Sequence, residues 1–189
     1  MADEVLGDRR KALEEQFFTK HNEELRRQLR ASQQKQASQE ALARVAGDAH
    51  PEVLDRLVEL GIGPETWAAL EIVPLVEVAW ANAQVEAKER SAVLAAAEAN
   101  GITPGSPSHE LLENWLTHRP DGRLLGAWGE YIVGLCANLD PGQKEALRDE
   151  ILGRARTVAE AAGGFLGLGN KISREEEIVL QQLAKPFER

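Results

Sequence analysis

Cysteine occurs once in the 189 residues, at Cys136, so no internal disulfide is possible and a structural zinc site of the multi-cysteine kind is excluded. The longest apolar run, residues 72–81, carries Glu77 and is about half of the roughly 20 residues that a membrane helix needs. No transmembrane segment is therefore expected. The chain opens on Asp3, Glu4 and Asp8 rather than on a basic patch followed by an apolar stretch, which is not the pattern of a secretory signal and leads us to expect a cytoplasmic protein. Excess positive charge is also lacking: the net charge is -9, and a nucleic-acid surface needs a basic face. What is present is ordinary for a globular chain, with 43% hydrophobic and 28% charged residues, enough for one core of roughly 100 to 150 residues.

The charge is unevenly spread. Residues 1–50 hold 9 Lys/Arg against 9 Asp/Glu, whereas residues 51–189 hold 13 against 22, so the whole deficit belongs to the later part. This shift, with Gly47 and Pro51 beside it, divides the chain into an arm, 1–50, and a body, 51–189. From Asp8 to Val45 the arm has neither Pro nor Gly and is built mainly of Ala, Leu, Glu, Gln, Lys and Arg, which favour helix. Leu13, Phe17, Phe18, Leu25 and Leu29 recur at near-helical steps along one stripe. Between Ser32 and Gln39 only Ala37 could face a core, and a solvated stretch or fraying point is expected there before Ala41, Leu42 and Val45 resume the pattern.

In the body, Pro51, Pro64, Pro107 and Pro141 stand where first helical turns would begin, with Ser106 and Asp140 as N-caps. Helices are expected over 51–60, 64–83 with an interruption near Pro74, 86–99, 107–118, 123–138, 141–162 and 174–184, and Ser173 with Glu176 makes a capping box for the last. No window alternates with period two, so no sheet is assigned. Residues 84–90 and 171–177 echo one another: apolar residue, cap, two polar residues, Glu, then an amphipathic helix. Two helix starts sharing good N-terminal chemistry would produce the echo, and so would two related helix-turn-helix halves.

Residues that could carry chemistry are few. His21, His50, His109 and His118 form no closely spaced ligand pair, and Cys136 lies within an apolar helical face as a buried thiol. The glycine-rich stretch 163–171 lacks the Gly-Lys-Ser/Thr ending of a phosphate loop and follows a helix rather than a strand. It reads as a helix stop whose Phe165, Leu166 and Leu168 enter the core. No cofactor motif is present. The candidate partner-binding residues are Phe17, Phe18, Leu25 and Leu29: adjacent Phe17 and Phe18 cannot share one narrow stripe, so they must pack on the body, on a second copy or on a partner. The candidate metal ligands are Glu77, Asn82, Glu86 and Glu89, oxygen donors gathered around one turn as a hard cation requires.

Over residues 60–187 the body resembles the TerB-like helical family of tellurite-resistance and stress-response proteins. The resemblance rests on residues 73–83 with Val85 and Glu89, and on residues 162–169 with Ile172, Ser173 and Glu176. It implies a compact all-helical domain with two related halves, an association with metal stress and membrane-linked sensing complexes, and no settled enzymatic reaction. Where such proteins commonly carry Asp-Gly, this chain has Asn82-Ala83, which weakens any metal role that the resemblance implies. The expected fold class is all-α: a bundle of about six to seven helices preceded by a long N-terminal helical arm. The expected function is a non-enzymatic interaction module, with a divalent-metal-responsive domain as the alternative.

Overall fold

The structure, a computed structural model, describes residues 2–47, 49–162 and 172–188, with side chains from residue 23 onward except at 48, 162–171 and 189. The glycine-rich stretch, and the packing expected of Phe165, Leu166 and Leu168, lie outside the described residues. Among the described residues eight α-helices follow one another: α1 Ala2–Ala46, α2 Pro51–Glu59, α3 Val73–Ala79, α4 Ala87–Ala99, α5 Pro107–Thr117, α6 Leu124–Cys136, α7 Pro141–Ala162 and α8 Arg174–Ala184. A 3-10 helix, Pro64–Ile72, leads into α3, and a short 3-10 turn, Lys185–Glu188, follows α8. Among the described residues there is no strand, and the chain forms an all-α bundle.

The local signals act as their chemistry dictates. Pro51, Pro64 and Pro107 open their helices, where the missing N–H has no intrahelical partner to lose. Ser106 Oγ accepts from the His109 N–H at 3.2 Å, and Asp140 Oδ1 accepts from the N–H groups of Gly142 and Gln143 at 2.9 and 3.0 Å. Two helices stop alike. After α2 and α4 the chain passes through Gly61 (φ +84°) and Gly101 (φ +82°), the N–H of Ile62 returns to Leu57 and that of Ile102 to Ala97, and both isoleucines are buried.

The segment expected as helix over 64–83 with an interruption near Pro74 is in two pieces that meet beside that proline. Its first nine residues wind as a 3-10 helix and only Val73–Ala79 is α-helical. Pro74 has no N–H to give the carbonyl one α-turn earlier, which accounts for the change of winding at this point. Every residue of α3 is buried, and the helix touches the 3-10 helix and α4, α5, α6, α7 and α8. It is the axis of the body. Around it lie Leu57, Leu70, Leu112, Trp128 and Leu183, each less than 2% exposed. Trp115 is buried too, and its carbonyl accepts a 2.8 Å hydrogen bond from Trp80 Nε1.

The arm is one helix through Ser32–Gln39, where a solvated stretch or a fraying point was expected: residues 32–34, 36 and 37 are exposed, and the helix does not fray. Residues 23–34 are exposed, Ser32 Oγ turning back to the Leu29 carbonyl at 2.8 Å. The last turns enter the body: Leu42 is fully buried, Lys35 Nζ meets Glu59 Oε1 at 2.7 Å, and Gln39 hydrogen-bonds Asp55, both partners on α2. Val45, placed by sequence on the same stripe as Leu42, remains half exposed.

Candidate functional site

Two places carry the sequence-derived candidates. On α1, Leu25 and Leu29 are 49% and 58% exposed, one helical turn apart on a segment that no other described element covers. The backbone of Phe17 and Phe18 lies on the same helix, and their side chains lie outside the described residues. A straight helix rises about 1.5 Å per residue, so Leu29 stands some 20 Å from Leu42, where the helix enters the core.

The second place is the meeting of the two echoing helix starts. At α4, Glu89 folds back so that its Oε2 accepts the Glu86 N–H at 2.7 Å. At α8, Ser173 and Glu176 form the reciprocal capping box: the Ser173 N–H donates to Glu176 Oε2, and the Glu176 N–H donates to Ser173 Oγ at 3.2 Å. The turns are joined where Ser173 Oγ donates to Asn82 Oδ1 at 3.3 Å. Glu89 and Glu176 are only 1% and 2% exposed, and the remaining oxygen of each, Oε1, is buried with no hydrogen-bond partner. Burial pushes the Glu89 carboxyl above its usual range, the Glu86 N–H opposes this, and the charges of Glu176 and Glu86 add to it. Burial therefore favours the protonated form of Glu89.

Of the expected metal ligands, Glu89 and Asn82 border this junction, while Glu86 is exposed and contributes its backbone N–H. Glu77 is buried on α3, where its carboxyl is raised by burial and lowered by the charge of Arg119; nothing ties it to Glu89. The structure adds Glu176, whose equivalence to Glu89 was visible in the echo although their approach was not. Among the described residues no group of three or more His, Cys, Asp or Glu side chains is placed to hold a metal ion.

Comparison with family models, with curated proteins and with solved structures found no match. The site is therefore read from its own residues.

Cys136 is buried and its thiol is pushed up by that burial. His118 Nδ1 lies 3.0 Å from Asn114 Oδ1 and His109 Nδ1 lies 3.7 Å from Glu113. Among the described residues no histidine ring is hydrogen-bonded to a hydroxyl or thiol, as an activated nucleophile would require. No helix described here is long and apolar enough to cross a membrane.

Proposed function

We propose that this chain is a non-enzymatic, cytoplasmic interaction module of the TerB-like, stress-response kind, which offers the outer part of α1 to a protein partner or to a second copy. The TerB-like component rests on the sequence resemblance of residues 73–83 and 162–176. The observation that carries the interaction reading is the exposure of Leu25 and Leu29 on a helix anchored at its other end by Leu42. An apolar pair held away from the body in water is the usual geometry of a helix presented to a groove or to another helix.

The test is sedimentation equilibrium of the full chain, together with capture of partners from lysate, for the intact protein, the double variants Phe17→Ala/Phe18→Ala and Leu25→Ala/Leu29→Ala, and a truncation lacking residues 1–34. Truncation further into the helix would remove Leu42 from the core and confuse the outcome. Loss of association with a thermal transition unchanged to within a few degrees is expected. Unchanged association, or a large loss of stability in the double variants, overturns the reading.

The metal-responsive alternative has less support. The orphaned oxygens of Glu89 and Glu176 are hard donors, but each glutamate already gives its other oxygen to a backbone N–H. Calcium takes roughly six to eight oxygens and magnesium keeps several waters, whereas these oxygens are shut off from solvent. A calorimetric titration with calcium, magnesium, zinc and manganese is expected to give no heat beyond dilution. A saturable heat that disappears in Glu89→Gln would restore this alternative.

A further inference from the structure

A cavity of about 250 Å³ opens between the 3-10 helix, α6 and α7. Its inner surface includes buried Trp128, Leu70 and Ile132, and its sides include half-buried Trp67 and Tyr131. The last two rings meet edge to face, with centroids 5.1 Å apart and planes at 87°. They form a right-angled aromatic corner. Two carboxylates, Glu71 and Glu150, also border the cavity, and both belong to exposed residues. Glu150 is already engaged by Arg154 one turn away on α7. Glu71 has no ion-pair or hydrogen-bond partner among the described residues, and its charge reaches Tyr131, where it adds to burial in raising the phenol.

The charge on this cavity is thus one unpaired carboxylate beside a neutral ion pair, within a body whose own excess is acidic. An apolar ligand would gain from the walls and leave Glu71 unanswered, and an anion would be repelled. A compact cation with an alkylated head gains from both, because the negative faces of aromatic rings, with a carboxylate close by, attract ammonium groups too alkylated to hydrogen-bond. The volume is below the roughly 300 Å³ at which drug-sized pockets begin, which limits the occupant to a small head group.

We propose that the aromatic corner of Trp67 and Tyr131, with Trp128 behind it and Glu71 beside it, is a binding site for a small quaternary or highly alkylated ammonium ion. The site is independent of the arm and of the interaction reading. Its ligand could be a free solute or the head group of a choline lipid, since the trimethylammonium chemistry is the same.

The experiment titrates the full chain with choline chloride and with its neutral isostere 3,3-dimethylbutan-1-ol, to concentrations of order 10 mM, following tryptophan fluorescence and amide chemical shifts. Choline is expected to bind about tenfold more tightly than the isostere, with shifts centred on Trp67, Glu71 and Tyr131, and Glu71→Gln is expected to weaken choline several-fold while leaving the isostere unchanged. Glu71 is exposed and unpaired, so this variant should fold as the parent does. Tyr131→Leu, checked for an intact thermal transition, should remove the preference for the cation. Co-sedimentation with phosphatidylcholine vesicles beside choline binding assigns the lipid head group; choline binding without it assigns a free solute. No shift with choline, equal affinity for choline and the isostere, or indifference of choline to Glu71→Gln overturns the proposal.

Discussion

The outer part of α1 and the whole of α3 are helices of opposite construction. Residues 23–34 are charged and polar apart from Leu25, Leu29 and Ala31, favour helix strongly, and are exposed on every side; α3 is seven residues of Val, Pro, Leu, Glu and Ala, a poor helix by propensity, and is buried on every side. An isolated helix of twelve or so residues is marginal in water. The outer arm escapes that limit because it propagates from turns already fixed by Leu42 and by the contacts of Lys35 and Gln39 with α2, so it carries no nucleation cost of its own. In α3 the order is reversed: six neighbouring elements hold the backbone helical, and winding follows packing.

This contrast predicts where stability resides. Leu75→Ala in α3, 1% exposed in the parent, should cost about 2 to 5 kcal/mol in chemical denaturation, through lost burial and the cavity left behind. Leu29→Ala should change the same measurement by less than about 0.5 kcal/mol, because a side chain already in water has little burial to lose. Equal effects at the two positions would mean that the arm is covered in solution and that the two helices are not opposites.

The buried charge in α3 gives the second effect. Glu77 has a carboxyl raised by burial, only partly offset by Arg119, so the folded state binds its proton more tightly than the unfolded chain does. Stability from this group is therefore present below the ordinary carboxylate range and is lost as the pH rises through the elevated folded value. Glu77→Gln should narrow the difference in stability between pH 4 and pH 7, measured by denaturation at each pH. Glu89→Gln should act in the same direction, since Glu89 is raised for the same first reason, and the Gln amide oxygen can still accept the Glu86 N–H. A variant less stable than the parent at pH 7 by as much as at pH 4 would refute the assignment.

A smaller gain is expected just beyond α3, where the chain turns through Ala83 at φ +64°, the only non-glycine residue described with positive φ. The left-handed region costs an L-residue roughly 1 to 2 kcal/mol, and glycine occupies it freely at some cost in unfolded-chain entropy. Ala83→Gly should therefore stabilise the body by about 0.5 to 1 kcal/mol. Destabilisation would show that the methyl group contributes packing that outweighs the strain.

These differences also explain what could be read from the chain alone. Helix starts at Pro51, Pro107 and Ser173 were legible because caps and N-terminal prolines act within one turn of sequence. The 3-10 winding before Val73 was not, because residues 64–83 read as one helix broken only near Pro74 and the change arises from how that segment is packed. The Ser32–Gln39 stretch was legible in part: its polar composition gave the solvated surface, while contacts from α2 and strong local propensity keep it wound where fraying was the other expectation. At the helix junction, the echo revealed that Glu89 and Glu176 have the same local role, but not that the fold brings their charges within reach of one another. The aromatic corner lay beyond any sequence pattern, since Trp67 and Tyr131 are 64 positions apart.

The smallest effect sharpens the contrast most. Gln34→Gly places the residue least suited to a helix interior, worth about 1 kcal/mol of helix propensity, at the exposed boundary between the outer arm and its anchored turns. In α3 such a change would be felt globally, because its backbone and its packing are one unit. In the outer arm nothing in the body depends on residues 23–34, so the global unfolding free energy should be unchanged within error while amide hydrogen exchange of residues 23–33 accelerates several-fold. Exchange that stays slow would require contacts along the arm, and a matching loss of global stability would require the arm to be part of the cooperative core. Accelerated exchange with an intact body would show that the arm's helicity is inherited from its anchor, which leaves its apolar pair free to be ordered further by whatever it meets.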